Sequence, residues 1–156
     1  IDTSGSMDDK LDGVKRINIA KAAANAFLDK LKDKSGVKAG LISYDNLATI
    51  EKNLTTDLES IKTAVNGLQV GGGTNIGDGL RRAYYKLLKS SNTTAEKYII
   101  LLTDGEPTYH SVKNGKLMMD DGIADDFNGG GDHATYNDTN YCYRVATELI
   151  EPSDIK

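Results

Sequence analysis

Asp2, Ser4 and Ser6 place one carboxylate and two hydroxyls at alternate positions around Gly5. That is a compact way to present hard oxygen ligands from a turn leaving a strand. A divalent cation such as Mg2+ takes about six oxygens in a near-octahedral array at roughly 2.1 Å, some of them kept as water. The three residues supply only part of such a shell. Two later stretches offer more oxygen: Gly71-Gly72-Gly73-Thr74-Asn75 and Leu101-Leu102-Thr103-Asp104-Gly105. A helix cap explains one of the first three residues and leaves two without a role.

The elements that must carry these stretches can be read from periodicity. From about Arg16 to Lys32, apolar residues at Ile17, Ala20, Ala24, Phe27, Leu28 and Leu31 follow the helical rhythm and predict an amphipathic helix laid against a sheet. Gly36 suits its stop. Val37 to Tyr44 reads as a strand with apolar character on both faces, hence a sheet covered twice, and Leu47 to Glu51 as a short hairpin partner at an edge. Thr56-Asp57-Leu58-Glu59 has the capping-box form, with Thr56 as the cap, and Gly67 ends the helix that follows. The glycine run frees the backbone to swing Thr74 toward Asp2 and Ser4. A further helix carries Ile76, Leu80, Ala83, Tyr84, Leu87 and Leu88 on one face.

Tyr98 to Leu102 is short, continuous and apolar, the pattern of a strand inside a parallel sheet, and Asp104 follows at its carboxyl end. Pro107 to about Asp138 lacks periodicity and exceeds the usual length of an unstructured loop, which predicts a functional insertion, part of it poorly ordered. Cys142, Val145, Ala146 and Leu149 restore a helical stripe before Pro152. Strand alternating with helix indicates an α/β layered fold.

Asp2, Ser4 and Ser6, a threonine at 74 in a glycine loop and an aspartate at 104 after an apolar strand resemble, in that order, the metal-ion-dependent adhesion site of the von Willebrand factor type A domain family. The resemblance implies that Ser4, Ser6 and Thr74 bind the cation directly and that Asp2 and Asp104 hold it directly or through water. It implies Mg2+ as the ion, with Mn2+ or Ca2+ as alternatives, and an open position taken by an Asp or Glu carboxylate of a protein partner. The implied fold is a three-layer, Rossmann-like α/β open sheet, mostly parallel with one antiparallel edge strand and helices on both faces. In that family a strand precedes the first motif and a strand, a helix and a last strand follow the final helix. Residues 1–156 then read as a single, partial domain trimmed at both ends, with an irregular insertion at about 107–138 on the rim of the site. The implied function is adhesion, in an extracellular or cell-surface bacterial protein such as a pilus-tip adhesin. The competing reading is a cytoplasmic assembly module that clamps a partner subunit through the same site.

Catalysis is the weakest of the three classes. His110 and His133 are the only histidines, both lie in the irregular segment, and both read as ordinary surface residues, so the serines have no base in view. Asp2 as a phosphoryl acceptor lacks a second acid and a phosphate cradle. The glycine run does not match a dinucleotide fingerprint, because Ile76 occupies the third glycine slot counted from Gly71. Asp120, Asp121, Asp125, Asp126 and Asp132 do not follow the helix-loop-helix calcium spacing and read as a solvated acidic loop.

A net charge of −4 over 156 residues gives no global field toward nucleic acid or an anionic membrane. It is unevenly spread: Asp104 to Asn140 holds eight acidic side chains against two lysines, which reads first as a solvated loop face and second as a patch that would favour cation entry at the proposed site. The single Cys142 forms no intramolecular disulfide and reads as a small buried residue. No apolar run approaches the roughly 20 residues needed to span a bilayer. Tyrosines near Tyr136 to Tyr143 suit either an interface or the packing of the last helix.

Overall fold

The computed structural model describes residues 1–124 and 126–156; Asp125, one of the acidic loop residues, lies outside the described residues. Helix α1 (Arg16–Leu31) and helix α2 (Leu58–Gly67) turn their apolar stripes toward strand β3 (Ala39–Tyr44). Leu28, Leu41, Ile61, Val65 and Leu68 form the buried centre of this layer, with Ile1, Ala24, Ala39, Leu58 and Ala64 packed around it. The cap of α2 is Asp57, one residue later than the capping-box reading placed it: its carboxylate accepts from the Ser60 amide at 3.0 Å. A carboxylate at that position satisfies an orphan amide and also opposes the positive end of the helix dipole.

Helix α3 (Ile76–Leu88) is capped by Asn75, whose side chain accepts from the Asp78 amide at 3.1 Å. It lies against a second buried set. A Cβ on Gly77 would stand 2.4 Å from Tyr141 Cδ1, so this helix position has to be glycine for the Tyr141 ring to seat. Tyr141 belongs to helix α4 (Tyr136–Arg144), is fully buried, and donates its hydroxyl to the Met118 carbonyl at 2.9 Å. A π-helical turn, Val145–Ile150, continues from α4.

The fold is α/β, yet the expected mostly parallel, three-layer Rossmann-like sheet is corrected by the pairing. Strands β1 (Lys10–Leu11) and β2 (Val14–Lys15) form one antiparallel hairpin, and β3 pairs antiparallel with β4 (Ala48–Thr55). The third sheet, in the order β6 (Lys116–Leu117), β5 (His110–Lys113), β7 (Asp126–Asn128), is also antiparallel. Parallel contact among the described residues is confined to two isolated bridges, Asp2 with Tyr44 and Lys97 with Ile155.

Tyr98 to Leu102 shows why. Its backbone is engaged at intervals, by Asp2 N–H donating to the Leu102 carbonyl at 2.8 Å and by Ile99 N–H donating to the Lys156 carbonyl at 2.6 Å, rather than by a ladder of successive residues. Tyr98 and Ile100 remain 54% exposed. An apolar run reports a preference for burial, whereas a strand also needs neighbours that pair residue after residue.

The segment after Pro107 contains β5, β6 and β7 among its described residues, and polar side chains tie it to α3. Arg81, fully buried, pairs with Asp78 at 2.6 Å and donates to the carbonyls of Asp120 and Gly122. Tyr85 donates its hydroxyl to the Met119 carbonyl at 2.8 Å.

Candidate functional site

Residues 1–5 are held from three sides by main-chain bonds. Thr3 N–H donates to the Tyr44 carbonyl at 2.8 Å, Asp2 N–H to Leu102, Gly71 N–H to the Thr3 carbonyl at 2.8 Å, and Gly5 N–H to the Gly72 carbonyl at 2.9 Å. The Gly5–Asp8 stretch then turns as a 3-10 helix. The three stretches singled out by chemistry thereby meet at one end of the molecule, where they frame an open cleft of about 230 Å³. Ser4, Ser6, Thr74 and Asp104 line it, together with Arg16, Glu106, Thr108, Gly131 and Asp132.

Asp2 lies beneath the cleft, fully buried. Its carboxylate accepts from the Ser4 amide at 2.9 Å and from the Thr103 hydroxyl at 2.8 Å. Burial raises its pKa above the ordinary carboxylate value, while the Ser4 and Thr103 hydrogen bonds hold it down and the nearby Asp104 pushes it further up. The Ser4 and Ser6 hydroxyls are 3.1 Å apart, and Ser6 donates to Asp104 Oδ1 at 3.0 Å. The other oxygen of Asp104 accepts from Arg16 Nη1 at 2.8 Å, and the same nitrogen reaches the Ser6 carbonyl at 3.4 Å. Thr74 is buried, and its backbone is bonded to Thr108 and Tyr109.

The expectation of a bound Mg2+, or of Mn2+ or Ca2+ in its place, is corrected by this geometry. Among the described residues no group of three or more His, Cys, Asp or Glu side chains is placed to hold a metal ion. Of the two carboxylates in the expected ligand set, Asp2 is committed to an amide and a hydroxyl and Asp104 to a hydroxyl and a guanidinium. The Arg16 guanidinium supplies the positive charge beside Asp104, so the donor set does not fit a divalent ion and the constellation is a hydrogen-bonded network around an Arg–Asp pair.

Arg16 is a site residue that pattern reading missed. Its place as the first residue of α1 gives it a local role, and its bond to Asp104 spans 88 positions, beyond any local signal. The β1–β2 hairpin that delivers it has a local signal that the periodicity reading above does not use: Asp12 and Gly13, at φ 50° and 85°, make the Asp-Gly turn that connects Leu11 to Val14. Leu11 and Val14 stay exposed on it. His110, read as a surface residue, is buried with Nδ1 2.6 Å from Asp138 Oδ1, whereas His133 is exposed. The tyrosines divide between the two readings: Tyr141 is core, while Tyr136 and Tyr143 are 81% and 65% exposed. Burial pushes the Cys142 thiol up to about 12, which keeps it protonated and unreactive at neutral pH.

No described helix is long and apolar enough to cross a membrane. The chain is 36% identical over 110 residues to calcium-activated chloride channel regulator 1 of Bos taurus, a match covering 68% of this chain and 12% of that protein. It is 32% identical over 117 residues to a UPF0353 protein of Mycolicibacterium gilvum, covering 71% of the chain and 34% of the relative. The chain thus spans about a third or less of these curated relatives.

Among solved structures, a variant of the PilB minor pilin from Streptococcus sanguinis superposes with a TM-score of 0.85 at 21% identity, over 99% of this chain and 46% of that one. The vWF domain of the type V pili tip protein from Porphyromonas gingivalis superposes with a TM-score of 0.63 at 30% identity, over 72% and 38%. These two are a minor pilin and a domain of a pilus tip protein. The model of the von Willebrand factor type A domain matches residues 1–106, the part of the chain that contains Asp2, Ser4, Ser6, Thr74 and Asp104. With its α/β layers and three loops gathered at one end, the chain belongs to the von Willebrand factor type A domain family.

Proposed function

We propose that this chain is a protein-binding, adhesion-type module of a bacterial cell-surface protein, and that Ser4, Ser6, Thr74 and Asp104 present the partner-binding face. The observation that carries this reading is the convergence of three separate loops on one open cleft lined by these side chains. Support for a bacterial surface setting comes from the fold shared with a minor pilin and a pilus tip protein.

The partner group is an Asp or Glu carboxylate. Arg16 is the cation that lines the cleft, and its side chain is 37% exposed. A guanidinium has five donors in a fork suited to carboxylates, and the Asp104, Ser6 and Asp9 oxygens all face its Nη1, which leaves Nε and Nη2 available. Glu106 and Asp132 at the rim oppose an acidic ligand, so the contact selects a carboxylate that reaches Arg16 rather than a diffuse anionic surface.

The test is attachment of the purified protein to a panel of immobilised extracellular proteins, native and with their carboxyl groups amidated. Binding to at least one native protein, abolished by amidation and lowered roughly tenfold by Arg16→Gln, is expected, since a charge-assisted hydrogen bond contributes about 1.5–3 kcal/mol. Attachment that survives both changes would overturn the reading.

A further inference from the structure

We infer that Thr108 and Tyr109, at the start of the segment beyond the family match, are positioning residues for the cleft: they clamp loop 73–75 and set the place of Thr74. The contacts run residue by residue. Thr74 N–H donates to the Thr108 hydroxyl at 2.9 Å, and the Thr74 carbonyl accepts from Thr108 N–H at 2.8 Å and Tyr109 N–H at 3.1 Å. Both main-chain groups of Thr74 are therefore spent on two consecutive residues of the insertion.

One residue on, the fully buried Asn75 donates to the hydroxyl of the fully buried Ser111 at 3.1 Å. One residue back, the Tyr109 ring lies against the Gly73 backbone so closely that a Cβ there would stand 1.8 Å from Tyr109 Cε2. The far side of the clamp is closed as well. Phe127 meets the Tyr109 ring edge-on, with centroids 5.0 Å apart, and a Cβ on Gly129 would stand 2.0 Å from the Thr108 carbonyl oxygen. Buried main-chain groups satisfied by a neighbouring segment tie the two together, because parting them exposes unpaired donors and acceptors.

The consequence is that the insertion belongs to the cleft as a wall. Gly131 and Asp132 line the cleft, and Gly131 N–H donates to the same Thr108 carbonyl at 3.5 Å. Thr74 and the Gly131–Asp132 rim are thus located by the same two residues. The outline a partner meets is set by the insertion and not by the core layers alone. Only this last step rests on the cleft being the binding face; the placement of Thr74 does not.

Amide hydrogen exchange followed by NMR on the full 156-residue chain tests the clamp without a partner, so its outcome is independent of the attachment experiment. Thr108→Val should speed exchange at Thr74 about tenfold, the effect of one lost buried hydrogen bond, while amides of α2 such as Val65 keep their wild-type rates. Thr108→Ser, which retains the hydroxyl, should restore protection. Unchanged exchange at Thr74 in Thr108→Val, equal acceleration at Val65, or no rescue by serine would overturn the inference. If Thr108→Val does not fold, Gly73→Ala carries the test. Displacing the Tyr109 ring should then shift the resonances of both Thr74 and Gly131, and a shift confined to residue 73 and its chain neighbours would overturn it.

Discussion

Residues 1–106 and the segment from Pro107 to Thr135 are built on different principles, although they share one cleft. The first is the region matched by the family model, and it is organised by apolar stripes: α1 and α2 close on β3 through Leu28, Leu41, Ile61, Val65 and Leu68. The second lies outside that match, although the minor pilin superposition covers 99% of the chain. It is anchored by polar groups. Arg81 holds the carbonyls of Asp120 and Gly122, Tyr85 holds Met119, Tyr141 holds Met118, and Thr74 and Asn75 hold Thr108 and Ser111. An apolar stripe buries area and tolerates substitution of similar volume, whereas a polar anchor is sensitive to the loss of either partner. The rim of the cleft is the more brittle of the two regions.

The contrast is sharpest at Arg81. Arg81→Ala leaves the Asp78 carboxylate buried without its cation and releases the carbonyls of Asp120 and Gly122, and should cost about 3–5 kcal/mol in urea unfolding. Ile61→Ala in the core layer should cost about 2–5 kcal/mol by cavity formation. The two differ in where they act: exchange at Met118 and Met119 should rise more than the global loss in Arg81→Ala and only in step with it in Ile61→Ala. Equal profiles would dissolve the distinction between the regions.

The smallest effect belongs to α4. Thr135→Ala removes one half of a capping box, in which the Thr135 hydroxyl accepts from the Asp138 amide while Asp138 accepts from the Thr135 amide, and should cost about 1 kcal/mol. A loss several times larger would show that the cap also steadies the buried His110–Asp138 pair.

How far the sequence could be read follows the same division. Helix α1 was legible because Ile17, Ala24 and Leu28 repeat at helical spacing, and the oxygen-bearing residues at 2, 4, 6, 74 and 104 were legible as a set by chemical type. The direction of the sheet was not, because Tyr98–Leu102 advertises burial without saying which strands accompany it. Arg16 was not, because its partner lies 88 residues away, and His110 was not, because Asp138 lies 28 residues away with no periodic signal between them. Long-range polar pairs leave no local trace, and they account for both the corrected cation and the anchoring of the segment after Pro107.

The central claim is that recognition occurs at the cleft and not at the exposed Tyr136 and Tyr143 face of α4. Its most direct test compares attachment of three folded proteins to the native immobilised panel: wild type, Ser4→Ala with Thr74→Ala, and Tyr136→Ala with Tyr143→Ala. Attachment lost roughly tenfold or more in the cleft variant and retained in the tyrosine variant is the predicted result, each good hydrogen bond to a charged group contributing about 1.5–3 kcal/mol. Retention in the cleft variant together with loss in the tyrosine variant would contradict it.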